Sequence, residues 1–216
     1  MPRSACPICK GISNMMYDMR NKTTNGKWRH CACGCVFNDE QSGKPLSEMR
    51  IKEILGIKEY EAKCKHFAIT YASIVEELAA GRQYKEVGAL SPHFGNVLKE
   101  RGWVDNPEAE KYDFIFSNHT LENQSDPVKY LIKMKHKLSD TGVLLIATSD
   151  ADFIHVLSPA HWGNWNNESD NVYFNLPALS RLIERMGLQV ILSMQNISCR
   201  FTHMNDMHIM ARKKIV

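Results

Sequence analysis

No apolar run in these 216 residues approaches the roughly 20 that a membrane-spanning helix needs, which argues against a helical membrane protein. The opening residues, MPRSACPICK, lack the apolar stretch of a secretory signal, so a cytoplasmic location is expected. Triplets of the N-x-S/T kind, such as Asn118-His119-Thr120, then read as chance matches rather than glycan acceptors. A dense run of lysine and arginine is also missing, and with it the plainest signature of a nucleic-acid tail. What remains is ordinary globular composition, 44% hydrophobic and 24% charged. The length suits one medium α/β domain with a small appendage.

Charge is unevenly placed. Residues 1–66 carry 12 Lys/Arg against 7 Asp/Glu, a balance of +5, whereas residues 67–216 carry 15 against 17, a balance of −2. A basic N-terminal third can meet the phosphates of a nucleic acid, or offset the charge of metal-bound thiolates.

Five of the seven cysteines, Cys6, Cys9, Cys31, Cys33 and Cys35, fall within the first 35 residues. Without a secretory signal such clustering favours a metal over disulfides. Cys6-Pro-Ile-Cys9 sets two thiolates on one turn, and the second half-site, KWRHCACGCVF, follows about 20 residues later. Zinc ribbons usually end in C-x-x-C-G and an apolar pair; Cys33-Gly34 and Val36-Phe37 fit that ending. The fourth ligand stays open. His30 keeps the usual spacing to Cys33, whereas Cys31 gives an all-cysteine site. Cys35 stands where an apolar residue ordinarily packs. Four protein ligands leave no open position, so the expected zinc is structural.

Residues 46–57 and 59–80 have helical period, and in the second Tyr60, Cys64, Phe67, Tyr71, Ile74, Val75 and Leu78 form one stripe, with Cys64 read as core. From Tyr84 strands alternate with helices: KEVGA, a helix at 94–101, YDFIFSN, a helix at 126–138, GVLLIAT, a helix at 177–186, LQVILSMQ and MHIMARK. The pattern predicts an α/β fold with a mostly parallel sheet, its last two strands antiparallel because no crossover helix fits between them. The expected organisation is a zinc ribbon at 1–40, a helical connector at 41–81 and a Rossmann-like domain at 82–216.

The stretch from Tyr112 to Asp150 resembles the class I S-adenosylmethionine-dependent methyltransferases. Tyr112-Asp113-Phe114-Ile115 matches the family's F-D-x-I strand, His119-Thr120-Leu121-Glu122-Asn123 its H-x-L-E-H, and Asp126-Pro127 its D-P before a helix. Trp162 to Val190 resembles the family's W…H-x-Y-x-F…L-x-x-L-x-x-x-G-F segment, with Asn171 where sugar-modifying relatives carry a histidine. A zinc ribbon ahead of such a domain also recurs among those relatives.

The resemblance implies S-adenosylmethionine as cofactor and YKEVGALSPHFG as its loop. Glu86 matches the loop's acidic residue and Gly88 its first glycine, while Leu90 and Pro92 replace the next two. Asp105, 17 residues after Gly88, is the candidate for the ribose hydroxyls, yet only seven residues separate it from Asp113. One strand–helix repeat is therefore expected to be missing and the sheet to be narrow. Asn118 and His119 close a strand at its C-terminal edge, where open sheets place ligands, and His119 is a candidate general base. His155, His161, Trp162, Trp165 and Tyr173 suit a lid that stacks on a sugar or base. The implied activity is methyl transfer to a small polar acceptor such as a sugar. The worn loop also fits an inactive binding or assembly module, and the basic ribbon a nucleic-acid-modifying protein.

Overall fold

The computed structural model describes residues 5–18, 27–39, 58–88, 92–153, 170–195 and 206–214. Three strands come first: β1 (Ser13–Asp18), β2 (Lys27–Cys31) and β3 (Cys35–Asn38). Helix α1 (Lys58–Leu78) follows, then β4 (Gln83–Val87), α2 (Pro92–Glu100), the two-residue β5 (Val104–Asp105) and β6 (Tyr112–Asn118). The chain continues through α3 (Pro127–Lys137), β7 (Leu138–Ser149), β8 (Val172–Phe174), α4 (Leu176–Arg185), β9 (Leu188–Gln195) and β10 (Asp206–Lys213).

The larger sheet has six strands in the order β5-β4-β6-β7-β10-β9. Strands β5, β4, β6 and β7 run parallel, and β10 lies antiparallel to both β7 and β9. Strands β6 and β7 are apolar on consecutive residues because helices cover both faces. Phe114, Phe116, Val143 and Leu145 pack with Tyr71 and Val75 of α1 and Phe94 and Leu98 of α2. Ile115, Leu144 and Ile146 pack the opposite way, with Leu131 of α3 and Leu179 and Ile183 of α4. The α1 stripe closes before Leu78, which is exposed rather than packed. The expected helix at 46–57 and the side chains of Tyr60 and Cys64 lie outside the described residues.

Capping residues set the helix starts. Asp126 accepts a hydrogen bond from the Lys129 amide at 3.0 Å, and Asn175 one from the Ala178 amide at 3.0 Å. Asp113 of the F-D-x-I stretch serves the opposite edge of the sheet from the ligand edge. Its carboxylate accepts from the Gln83 amide (3.0 Å) and the Ser139 hydroxyl (2.9 Å), tying three strand starts together. After β5 a turn at Asn106–Ala109 leads straight into β6, with no helix between them.

The ribbon shares its sheet with the larger domain. β3 pairs antiparallel with β8, setting Cys35 opposite Phe174 and Phe37 opposite Val172, so four strands run β1-β2-β3-β8. Trp28 stacks on Tyr173 with centroids 5.1 Å apart, and Arg181 donates to the Cys33 carbonyl at 2.7 Å. Cys6, Ile8, Cys35 and Phe37 sit in the same apolar cluster as Leu121 and Phe174. The sheet and the apolar core therefore extend across the expected boundary at residue 40.

Candidate active site and thiolate cluster

The C-terminal ends of β4 and β6 converge on Gly88. Its φ is +108°, and a Cβ there would collide with the Asn118 carbonyl and come within 2.6 Å of the Thr120 hydroxyl. Only glycine fits this turn. Thr120 Oγ1 lies 3.1 Å from the Val87 carbonyl and 2.9 Å from that of Asn118, holding the two loops against each other. Residues 89–91, Leu90 included, lie outside the described residues.

Glu86 is the penultimate residue of β4. Burial pushes its carboxyl up to about 7; the Gly95 amide and Lys99 pull the other way, and the charge of Asp105 adds to the rise. Its Oε1 is buried without a hydrogen-bond partner among the described residues. Asp105 is exposed on β5 and forms an ion pair with Lys99 at 3.6 Å. Glu86 and Asp105 thus put two carboxyls on one edge, and the amide of Gly95 marks the start of α2 beside them.

His119 is held from both sides. Nδ1 lies 2.8 Å from Glu122 Oε1 and Nε2 3.3 Å from Asp206 Oδ2, on a residue whose φ is +44°. Burial by itself would lower the imidazole pKa, but the Asp206 and Glu122 carboxylates outweigh it and raise it well above the usual histidine value. An imidazolium with both nitrogens engaged has no lone pair to take a proton, so this geometry does not present His119 as a free base. Asp150 sits nearby on the edge. Its carboxylate accepts from the Asp152 amide (3.0 Å) and from Gln195 (2.8 Å), and burial together with Asp206 raises its pKa. Glu122 could have been found inside the quoted H-x-L-E, and Asp150 as an acid ending a strand. Asp206 carries no signal before folding brings β10 beside β7.

A cavity of about 170 Å³ opens where the ribbon meets the turn after His119, lined by Phe37, Asn38, Gln124, Ser125 and Asn171 among others. Asn171 donates to the Asn123 carbonyl at 2.9 Å, while its own side-chain oxygen is buried without a partner among the described residues. Tyr173, expected in a lid, is instead fully buried and donates to Asp170 at 2.7 Å; His155, His161, Trp162 and Trp165 lie outside the described residues.

In the ribbon the sulfur atoms of Cys6, Cys9, Cys31 and Cys33 all lie within 4.8 Å of one another. Zn–S bonds of about 2.3 Å put tetrahedral sulfurs about 3.8 Å apart, and the Cys6–Cys33 and Cys9–Cys31 pairs stand at 3.8 and 3.4 Å. The donor set therefore suits a soft tetrahedral ion. His30 is outside the quartet, because neighbours on strand β2 point to opposite faces and Cys31 takes the inner one.

The profile of a methyltransferase domain family matches residues 46–193, more than two thirds of the chain. The chain belongs to the class I S-adenosylmethionine-dependent methyltransferases. No curated protein matches it in sequence. Among solved structures it is similar to the 1,6-didemethyltoxoflavin-N1-methyltransferase of Burkholderia thailandensis, bound to 1,6-didemethyltoxoflavin and S-adenosylhomocysteine. That likeness has a TM-score of 0.55 at 13% identity and covers 87% of this chain and 99% of the other. A possible histamine N-methyltransferase from Thermotoga maritima is matched at TM-score 0.46 and 16% identity, over 76% of this chain and 100% of the other. Among the described residues no helix is long and apolar enough to cross a membrane.

Proposed function

We propose that the chain transfers a methyl group from S-adenosylmethionine to a small polar acceptor such as a sugar. The observation that carries this reading is the pairing of an obligatory glycine, Gly88, with the buried, unpartnered Glu86 oxygen at the end of the first parallel strand. A buried carboxyl oxygen without a donor is costly unless a ligand supplies one. The amino group of the cofactor supplies such a donor, and Gly88 lets backbone approach it. Asp105 would face the ribose hydroxyls, and Asn118 would shape the floor through its backbone.

When bound, the cofactor supplies an activated methyl on a sulfonium. The protein's part is then to orient the acceptor and keep water away. His119 we assign a positioning role, joining the turn after β6 to the start of β10. The polar cavity beside Asn171 is our candidate seat for the acceptor. Zinc, held by Cys6, Cys9, Cys31 and Cys33, would stiffen the ribbon wall of that cavity and take no part in the chemistry.

Calorimetric titration with S-adenosylmethionine and with its demethylated product tests the reading. We expect micromolar binding that Glu86→Ala weakens at least tenfold, with folding retained. The stub of β5 favours a second reading, a methyltransferase fold kept as a binding or assembly module, since it leaves the adenosine side of the edge short. Folded, metal-loaded protein that gives no heat at millimolar cofactor would establish that alternative.

A further inference from the structure

The zinc reading uses four sulfurs, and the ribbon has five. Cys35 Sγ lies 3.2 Å from Cys6 Sγ and 3.4 Å from Cys33 Sγ, and those two are 3.8 Å apart. Cys6, Cys33 and Cys35 thus form a closed triangle that shares one edge with the quartet. Cys6 and Cys35 are both 0% exposed and Cys33 is half-buried, so the Cys6–Cys35 edge of the triangle faces the core. An ordinary packing residue at position 35 would fill this space with carbon. Here the fold puts a fifth soft donor in contact with two ligands of the neighbouring site.

We propose that the ribbon is two overlapping thiolate sites joined at Cys6 and Cys33, and that it takes either one zinc ion through four sulfurs or two copper(I) ions through five. Zinc needs four donors, and among the described residues the quartet is the group that supplies them. Copper(I), a soft closed-shell ion, is satisfied by two or three thiolates and bridges readily through shared sulfur. The triangle offers three thiolates, two of them buried in the core, and no oxygen or nitrogen donor, which favours the monovalent state over copper(II). Loading displaces the thiol protons and involves no change of oxidation state. The inference rests on the thiolate-cluster reading of the ribbon, and the zinc arm of the experiment tests that reading separately.

The full chain, with Cys64 and Cys199 both changed to serine so that only the ribbon sulfurs count, is stripped of metal and titrated anaerobically with copper(I) against a competing chelator. Stoichiometry is read by native mass spectrometry and by thiolate-to-copper absorption; a parallel titration uses zinc. We expect two copper(I) ions or one zinc per chain, and in both Cys35→Ser and Cys35→Ala one copper(I) with one zinc retained. Retained zinc shows that these variants keep a folded ribbon. Saturation of the parent at one copper(I), or two ions still bound by both variants, would overturn the proposal. Two copper(I) ions without any zinc binding would uphold the five-sulfur site and refute the zinc assignment alone.

Discussion

Glu86 is where residue chemistry and pH meet. Its carboxyl is raised by burial to about 7 from an ordinary 4.5, so the folded state prefers the protonated form. The stability this proton uptake contributes is present in full below pH 4.5 and is lost as pH rises through 7. Glu86→Gln should therefore be the more stable protein at pH 8 in urea unfolding, with the gap narrowing toward pH 5. A cationic amino group beside Glu86 would lower its pKa again, so cofactor affinity should rise between pH 6 and 8 and flatten in Glu86→Gln. Gly88 makes a second prediction at this scale. Gly88→Ala forces a side chain into the left-handed region and against the Asn118 carbonyl, at a cost of about 2 kcal/mol or more. Thermal unfolding of that variant against wild type measures it.

At the scale of elements, α1 is held to the sheet by a buried aromatic and imidazole group. His208 of β10 lies between Phe67 and Tyr71, with the Tyr71 hydroxyl 3.1 Å from Nδ1. Burial lowers the His208 pKa to about 4 from 6.5; Asp206 opposes this and the charge on His119 adds to it. The stability from a neutral His208 is present above pH 6.5 and lost as pH falls through 4. Acid should thus loosen α1, seen as amide-exchange protection factors in 67–75 that fall as pH drops from 6.5 toward 4, and His208→Phe should abolish that dependence. At the other helix, Asn175→Ala removes the cap of α4 and should cost about 1 kcal/mol in a denaturant titration. The helix and strand spans were legible because apolar period and the Asp126-Pro127 start are local signals. The length of the α1 stripe was not, because whether Leu78 is covered depends on what lies across from it.

For the whole molecule the shared sheet is the decisive feature. Since β3 completes β8 and Trp28 stacks on Tyr173, the ribbon and the methyltransferase domain form one core. Loading the ribbon with zinc should then raise the melting temperature of the entire chain in one transition, and chelation should reverse it. Two transitions, the upper unchanged, would mean that the halves are independent. The Asn171 cavity lies on the same seam, so metal removal should also weaken acceptor binding without touching Glu86.

The amino-acid sequence by itself determined the elements of this protein and the chemistry of its donors. Alternation of strands and helices, the cysteine spacing, the H-x-L-E stretch and the worn glycine loop are all written within short spans, where propensity and local geometry act. Only the tertiary structure decided what meets across long separations. It set Cys31, and not His30, among the four close donors because a strand shows alternate residues to one face, and it brought Cys35 against Cys6. It also placed Asp206 on His119, so that both ring nitrogens face carboxylates, since β10 reaches that edge only after the sheet is assembled.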